Sequence, residues 1–249
     1  MDDELLSGNP AMLLGPFNCR RGESQKADFL TQEEAETFLQ SAKALRPKRY
    51  PLFLTALRAG LRVGELIALE WGDVQMGESD EDKNRYILVR HNFTHGNFTS
   101  PKNRKEGRVD LHRELRRVLI ELRDQRMLEA MQRGEEEVSG LVFPSETGGP
   151  LDSRNVYHRD FLPCLEAAGL RRITWHTLRH SFAHALIANG ASLAYVSQQM
   201  RHQSIQVTVD RYGHLVPGGQ IEFIDRLGTV EMEPEVEPSR VTAKREGAK

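Results

Sequence analysis

The chain lacks several features that would place it in familiar classes. It has only 2 cysteines in 249 residues, Cys19 and Cys164, with neither a disulfide framework nor a metal-binding spacing. No apolar run reaches the roughly 18 residues of a membrane span, and the N-terminus has no basic-then-apolar targeting pattern. A cytosolic protein is the expectation. There is no internal repeat. There is no large excess of charge either: the formal net charge of −2 gives no overall sign that would attract a polyanion. One local absence stands out, because no Asp or Glu occurs between Ala167 and Val209.

What is present is unevenly distributed. From Arg85 to Arg126 there are eleven Lys or Arg against five Asp or Glu. From Arg154 to His214 there are seven against three, together with six of the 9 histidines. Acids gather at Glu78–Asp82, Glu135–Glu137 and in the tail from Glu231 to Glu237. A basic middle with acidic margins suits a polyanion-binding face, and it equally suits solvated helix faces of mixed charge. At 39% hydrophobic residues the chain can bury a real core.

Residues 1–28 are rich in turn formers and read as a linker or leader. Thr31 and Glu34 form a capping-box pattern, which predicts a helix to about Ala44. Tyr50 to Ala59 reads as a second, apolar helix stopped by Gly60, and Gly64 to Leu69 as a third. Short strands are expected from Trp71, over Tyr86–His91, over Asn97–Ser100 and over Arg108–Leu111, the last two joined by the basic loop 101–107. Leu111 to Arg133 reads as a long helix, with Leu115, Val118, Leu119 and Leu122 inward and Arg113, Arg116, Arg117 and Arg123 outward. Asp152 or Ser153 caps a helix running to Ala168. Three more helices follow, over His176–Asn189, Ser192–Met200 and Ser204–Tyr212. The tail from 229 to 249 has a disordered composition. The fold class is mainly α with a small antiparallel sheet (α+β).

Within the acid-free stretch, Arg179 shares an apolar pattern with Leu178, Phe182 and Leu186. A buried guanidinium needs an anionic partner, and with none nearby in sequence a phosphate ligand is a candidate. Arg62 sits between two apolar helices, with Glu65 as its local partner. His176, His180 and His184 are spaced i, i+4, i+8. They are open to reading as metal ligands, or as packing beneath a site that uses only the first.

The motifs resemble those of the phage integrase, or tyrosine recombinase, family. Ala59-Gly60-Leu61-Arg62-Val63-Gly64-Glu65-Leu66 is similar to its first arginine motif. Ser100-Pro101-Lys102 followed by Arg108-Val109-Asp110-Leu111 is similar to its lysine hairpin. His176-Thr177-Leu178-Arg179-His180 resembles its His-x-x-Arg motif. Arg201-His202-Gln203-Ser204, then Arg211-Tyr212-Gly213-His214, resembles the last histidine and the nucleophilic tyrosine. The resemblance covers roughly 29–219 and implies a DNA breaking-rejoining catalytic fold, with a catalytic domain at 29–228.

It further implies a site of Arg62, Lys102, His176, Arg179, His202 and Tyr212. Arg62 and Arg179 would hold the non-bridging phosphate oxygens. Tyr212 would form a 3′-phosphotyrosine. Lys102 would protonate the 5′-leaving oxygen, with Lys105 as the alternative acid. His176 would assist proton removal from Tyr212, His202 would donate to the phosphate, and Glu65 would orient Arg62 or a neighbouring histidine. No ATP, metal or other cofactor is implied. The implied partners are double-stranded DNA and a homo-tetramer on paired sites, with segment 219–228 docking on a neighbour. Nucleoid association would follow.

The chain departs from the family pattern in two places. Arg201 stands where most members have glycine, and the helical DNA-binding domain that usually comes first has no counterpart in residues 1–28. Weak, salt-sensitive DNA binding by the isolated chain is the corresponding expectation. A type IB topoisomerase-like relaxase and a DNA-binding regulatory remnant without catalysis are the alternative readings.

Overall fold

A computed structural model describes residues 29–100, 106–134 and 139–216. The expectations for linker 1–28, for Lys102 and Lys105, for segment 219–228 and for tail 229–249 lie outside the described residues.

Helix α1 (Gln32–Leu45) begins where its capping box predicts. Thr31 Oγ1 accepts the Glu34 amide at 3.2 Å and Glu34 Oε2 accepts the Thr31 amide at 2.9 Å. Helix α2 (Tyr50–Ala59) is buried along most of its length and ends at Gly60, whose φ is +57°. Leu61 and Arg62 then lead into the single-turn helix α3 (Val63–Ile67). The chain crosses sharply at Gly60 because α2 packs on α7 (Trp175–Ala188). A Cβ on Gly60 would lie 2.3 Å from Phe182 Cδ1. Gly60→Ala therefore combines a left-handed backbone penalty with an overpacked ring. It is expected to cost about 2–4 kcal/mol, read as a lower urea midpoint.

Trp71–Asp73 forms a 3-10 turn rather than the start of a strand, and β1 (Val74–Gln75) follows. Strands β2 (Tyr86–Val89), β3 (Asn92–Thr94), β4 (Asn97–Thr99) and β5 (Gly107–Asp110) divide into two sheets. The first has the order β1-β2-β5 and the second is the β3-β4 hairpin. The expected single strand Tyr86–His91 thus ends early, at Val89. The strands flanking the basic loop do not pair with each other: β5 pairs antiparallel with β2, with Ile87 opposite Val109.

Helix α4 (Arg113–Arg133) buries Leu115 and Leu119 as its periodicity predicts. Its arginines are less free than that pattern suggests. Arg116 is half-buried and donates to the Met76 carbonyl at 2.7 Å and to Asp80 at 2.9 Å, while Arg117 also pairs with Asp80. The helix capped by Asp152 runs without interruption to Ala167, near its expected end, through α5 (Ser153–Val156), a π-type turn (Tyr157–Phe161) and α6 (Leu162–Ala167). The π-type turn sits just before Pro163, which cannot supply the amide that regular i→i−4 bonding needs there.

Phe38, Phe53, Phe161 and Trp175 meet in the main core, with neighbouring ring centroids 5.1–5.8 Å apart. A smaller apolar cluster joins Phe182, Ala183 and Ile187 of α7 to Val196 and Met200 of α8 (Leu193–Met200) and Tyr212 of α9 (Ile205–Tyr212). No described helix is long and apolar enough to cross a membrane.

Candidate active site

Three helix junctions converge on Arg179. It lies in the first half of α7 and is only 2% exposed. Its Nη1 donates to the Gly60 carbonyl between α2 and α3, and its Nη2 donates to the Met200 carbonyl at the end of α8. Burial, then the neighbouring Arg62, push its pKa down to about 9, so it stays cationic at neutral pH. The counter-charge that the acid-free stretch did not supply comes from Glu65, whose field acts on Arg179. A ligand is therefore not the only anion available to this guanidinium. The sequence hid that because Glu65 lies in a distant motif.

Glu65 is 2% exposed and holds two arginines. Oε1 accepts Arg62 Nη1 at 2.9 Å, while Oε2 accepts the Arg62 amide at 2.8 Å and Nη2 of Arg201. Burial works to raise the Glu65 carboxyl, but Arg201 and then Arg62 overcome it and hold the group below its ordinary value. Arg62 keeps about a third of its side chain exposed, so it remains open to a further anion.

His202 follows α8 directly, and its Nδ1 lies 2.8 Å from Thr208 Oγ1. Burial pushes its pKa down to about 4, reinforced by the charges of Arg179, Arg62, His176 and Arg201. The ring is therefore neutral at pH 7. If the Thr208 hydroxyl donates to Nδ1, the proton sits on Nε2 as a donor.

A stability effect follows. The folded value lies below the ordinary 6.5, so the unfolded chain takes up the proton first as pH falls. The stability contributed by neutral His202 is complete above pH 6.5 and is lost progressively towards pH 4. Urea midpoints across that window should decline in the parent and flatten in His202→Asn.

Tyr212 ends α9 and is 3% exposed. Its hydroxyl is hydrogen-bonded to Nδ1 of His180, one turn beyond His176 on α7. The rings of His176 and His180 meet edge-on with centroids 4.3 Å apart, and His176 is exposed. His180 thus joins the site itself. Its i+4 spacing from His176 was the visible signal, but spacing alone did not separate contact from packing. The three-histidine stripe serves different neighbours, because His184 stacks on Phe29 at 3.8 Å.

Elsewhere among the described residues, Glu70, Asp73 and His91 bring ligand-type atoms within 4.8 Å of one another. Asp73 is already paired with Arg90 at 2.7 Å.

The arrangement gathers two guanidiniums and a neutral imidazole, of which the Arg62 guanidinium keeps exposed surface for an anion, and it sets a buried phenol against an imidazole. Residues 28–217 match the family described as the Phage integrase family. A tyrosine recombinase XerC-like protein of Caldanaerobacter subterraneus subsp. tengcongensis is 26% identical, over 91% of this chain and 61% of its own length. The ICEBs1 integrase of Bacillus subtilis is 27% identical, over 90% of this chain and 60% of its own. The chain thus spans about three-fifths of the length of these curated relatives.

Among solved structures, the Tn1549 transposon integrase in complex with a circular intermediate DNA matches with a TM-score of 0.65 and 20% identity, over 83% of this chain and 68% of that one. The catalytic domain of bacteriophage HP1 integrase matches with a TM-score of 0.56 and 18% identity, over 81% and 95% of the two chains. These likenesses show a shared fold: mostly helical, with small antiparallel sheets.

Proposed function

The chain belongs to the phage integrase family, and on that premise we propose that it is the strand-transfer part of a site-specific DNA recombinase acting through a covalent phosphotyrosine at Tyr212. The observation that carries this reading is the convergence of Arg62, Arg179, His202 and Tyr212, which come from four separate elements, around one cationic locus.

Arg62 and Arg179 take the non-bridging oxygens of the scissile phosphodiester and stabilise the charge that grows there in the transition state. His202 donates Nε2–H to the same phosphate. Tyr212 attacks phosphorus through its phenol oxygen. A free phenol has a pKa near ~10 and must lose its proton as it attacks. His180 Nδ1 already touches that hydroxyl, and His176 lies against His180, so this imidazole pair receives the proton. The bond from phosphorus to the 5′-oxygen breaks, and Lys102 supplies the proton that leaves with it. Glu65 orients Arg62 throughout.

The phosphotyrosyl ester retains the energy of the diester. A 5′-hydroxyl from another strand can therefore reverse the step without ATP or metal. The substrate is double-stranded DNA, and two sites are exchanged within a homo-tetramer in which segment 219–228 docks on a neighbour.

The test is a duplex nicked close to the cleavage point, so that the short 5′-hydroxyl fragment diffuses away. The parent chain should accumulate a detergent-stable protein–DNA adduct, mapping by peptide analysis to Tyr212. An adduct elsewhere, or none at any DNA concentration that saturates binding, sinks the reading.

A further inference from the structure

Arg201 is an arginine in a backbone state that suits glycine. It caps α8 with φ +50° and ψ +48°, in the left-handed region. A non-glycine residue held there costs of order 1 kcal/mol and persists where the surroundings repay it. Its side chain is only 11% exposed and pairs with the buried carboxylate of Glu65. Its Nη1 is buried without a hydrogen-bond partner.

The stem of the same side chain lies flat on Gly107, the first residue of β5. A Cβ at Gly107 would fall 2.2 Å from Arg201 Cδ and 2.9 Å from Cγ. Neighbouring contacts continue this seam between α8 and β5. Gln199 Oε1 accepts the Asp110 amide at 2.9 Å, and Tyr195 donates its hydroxyl to Asp110 at 2.9 Å. One side chain thus touches the strand that follows the lysine loop, the carboxylate that orients Arg62, and the turn that carries His202.

We propose that Arg201 is a positioning residue for DNA cleavage, which sets Arg62 through Glu65 and holds the start of β5 against the end of α8. The proposal rests on the strand-transfer reading above. Glu65 holds the Arg62 guanidinium through Oε1, while its second oxygen is held from two sides, by the Arg62 amide and by Arg201. The glycine at 107 leaves the space through which the arginine stem reaches that carboxylate. Arg201 therefore acts on the phosphate clamp from behind.

The test compares Arg201→Asn, Arg201→Lys and Gly107→Ala in the full chain. Asparagine tolerates the left-handed region, so a purely structural arginine would be replaced there without loss. The expected result is a single-turnover cleavage rate lowered ~10–100-fold in Arg201→Asn, the size of effect associated with losing a positioning or charge-orienting contact. DNA affinity should stay within about threefold of the parent, because the lost interaction acts on the reacting geometry and not on ground-state binding. Lysine should recover part of the rate. Gly107→Ala, which crowds Arg201 without removing it, should slow cleavage in the same way.

Adding Arg201→Asn to Arg62→Ala should cause no further loss, since the effect passes through Arg62. Hydrogen exchange supplies an arm independent of activity. The Gly107–Asp110 amides should exchange faster in Arg201→Asn by more than the fall in its global stability, measured by urea unfolding of the same variant, accounts for. Cleavage at the parent rate in Arg201→Asn overturns the proposal. So does a loss that appears mainly as weaker DNA binding, or a full additive loss in the Arg62→Ala background. If the parent forms no adduct, the strand-transfer reading fails, and the exchange arm then decides: unchanged protection of β5 overturns the positioning role as well.

Discussion

Tyr212→Phe should form no covalent adduct with the nicked duplex, at any time or protein concentration that saturates the parent. Removing a nucleophile eliminates the step itself, and losses of about 10⁶ in rate are typical where the nucleophile is essential. The variant is a clean one for a physical reason. Tyr212 is packed with Phe182, Val196 and Met200, so phenylalanine fills the same space. The hydroxyl's bond to His180 is lost, at a net cost of about 1 kcal/mol. Urea unfolding should therefore show a small decline while adduct formation disappears. An adduct in Tyr212→Phe equal to the parent's would remove Tyr212 from the chemistry and with it the proposed mechanism.

Arg179→Ala should lower the cleavage rate by at least ~10³, the scale seen when a charge-stabilising donor is removed from a transition state. Unlike the tyrosine variant, it should also reduce stability. Arg179 satisfies the carbonyls of Gly60 and Met200, and leaving buried acceptors unpaired costs roughly 1–3 kcal/mol each. Part of that is offset, because removing the guanidinium also removes its own desolvation cost and its repulsion from Arg62. Arg179→Lys keeps the charge but loses the planar fork that reaches two carbonyls at once. It should cleave far more slowly than the parent while remaining closer to it in stability than alanine. Measuring urea midpoints and single-turnover rates on the same preparations separates the two effects. Arg179→Ala cleaving within tenfold of the parent would remove it from the phosphate clamp.

Much of the architecture was legible in local patterns. The capping box at Thr31 and Glu34, the apolar run of α2 and the Leu115/Leu119 stripe of α4 are each set by residues within a turn or two of one another. The Arg62–Glu65 pair was visible for the same reason. What local pattern could not show is set by residues far apart in the chain. β5 has a partner more than twenty residues earlier in β2, so the strands beside the basic loop looked like a hairpin and are not paired. The π-type turn before Pro163 was open to reading from proline chemistry but was masked by strong helical periodicity on both sides. Glu65 acts on Arg179 and Arg201 only because α3, α7 and α8 meet. Tyr212's contact with His180 likewise needs α9 folded back against α7. Motif order named the candidate site residues, whereas the wiring among the described ones required the fold.

Helix α9 buries just Thr208 and Tyr212, and it leaves Ile205, Val207 and Val209 in solvent. A helix with so narrow a buried face has little apolar area resisting its departure, which lowers the free energy needed to open it. Its phenol is nevertheless among the least accessible groups of the site. Under the proposed mechanism the rate of strand cleavage is a product of two quantities, the intrinsic reactivity of the tyrosine and the fraction of molecules in which α9 presents it. Substitutions along α9 that touch no DNA and no reacting atom would change the second factor while leaving the first untouched.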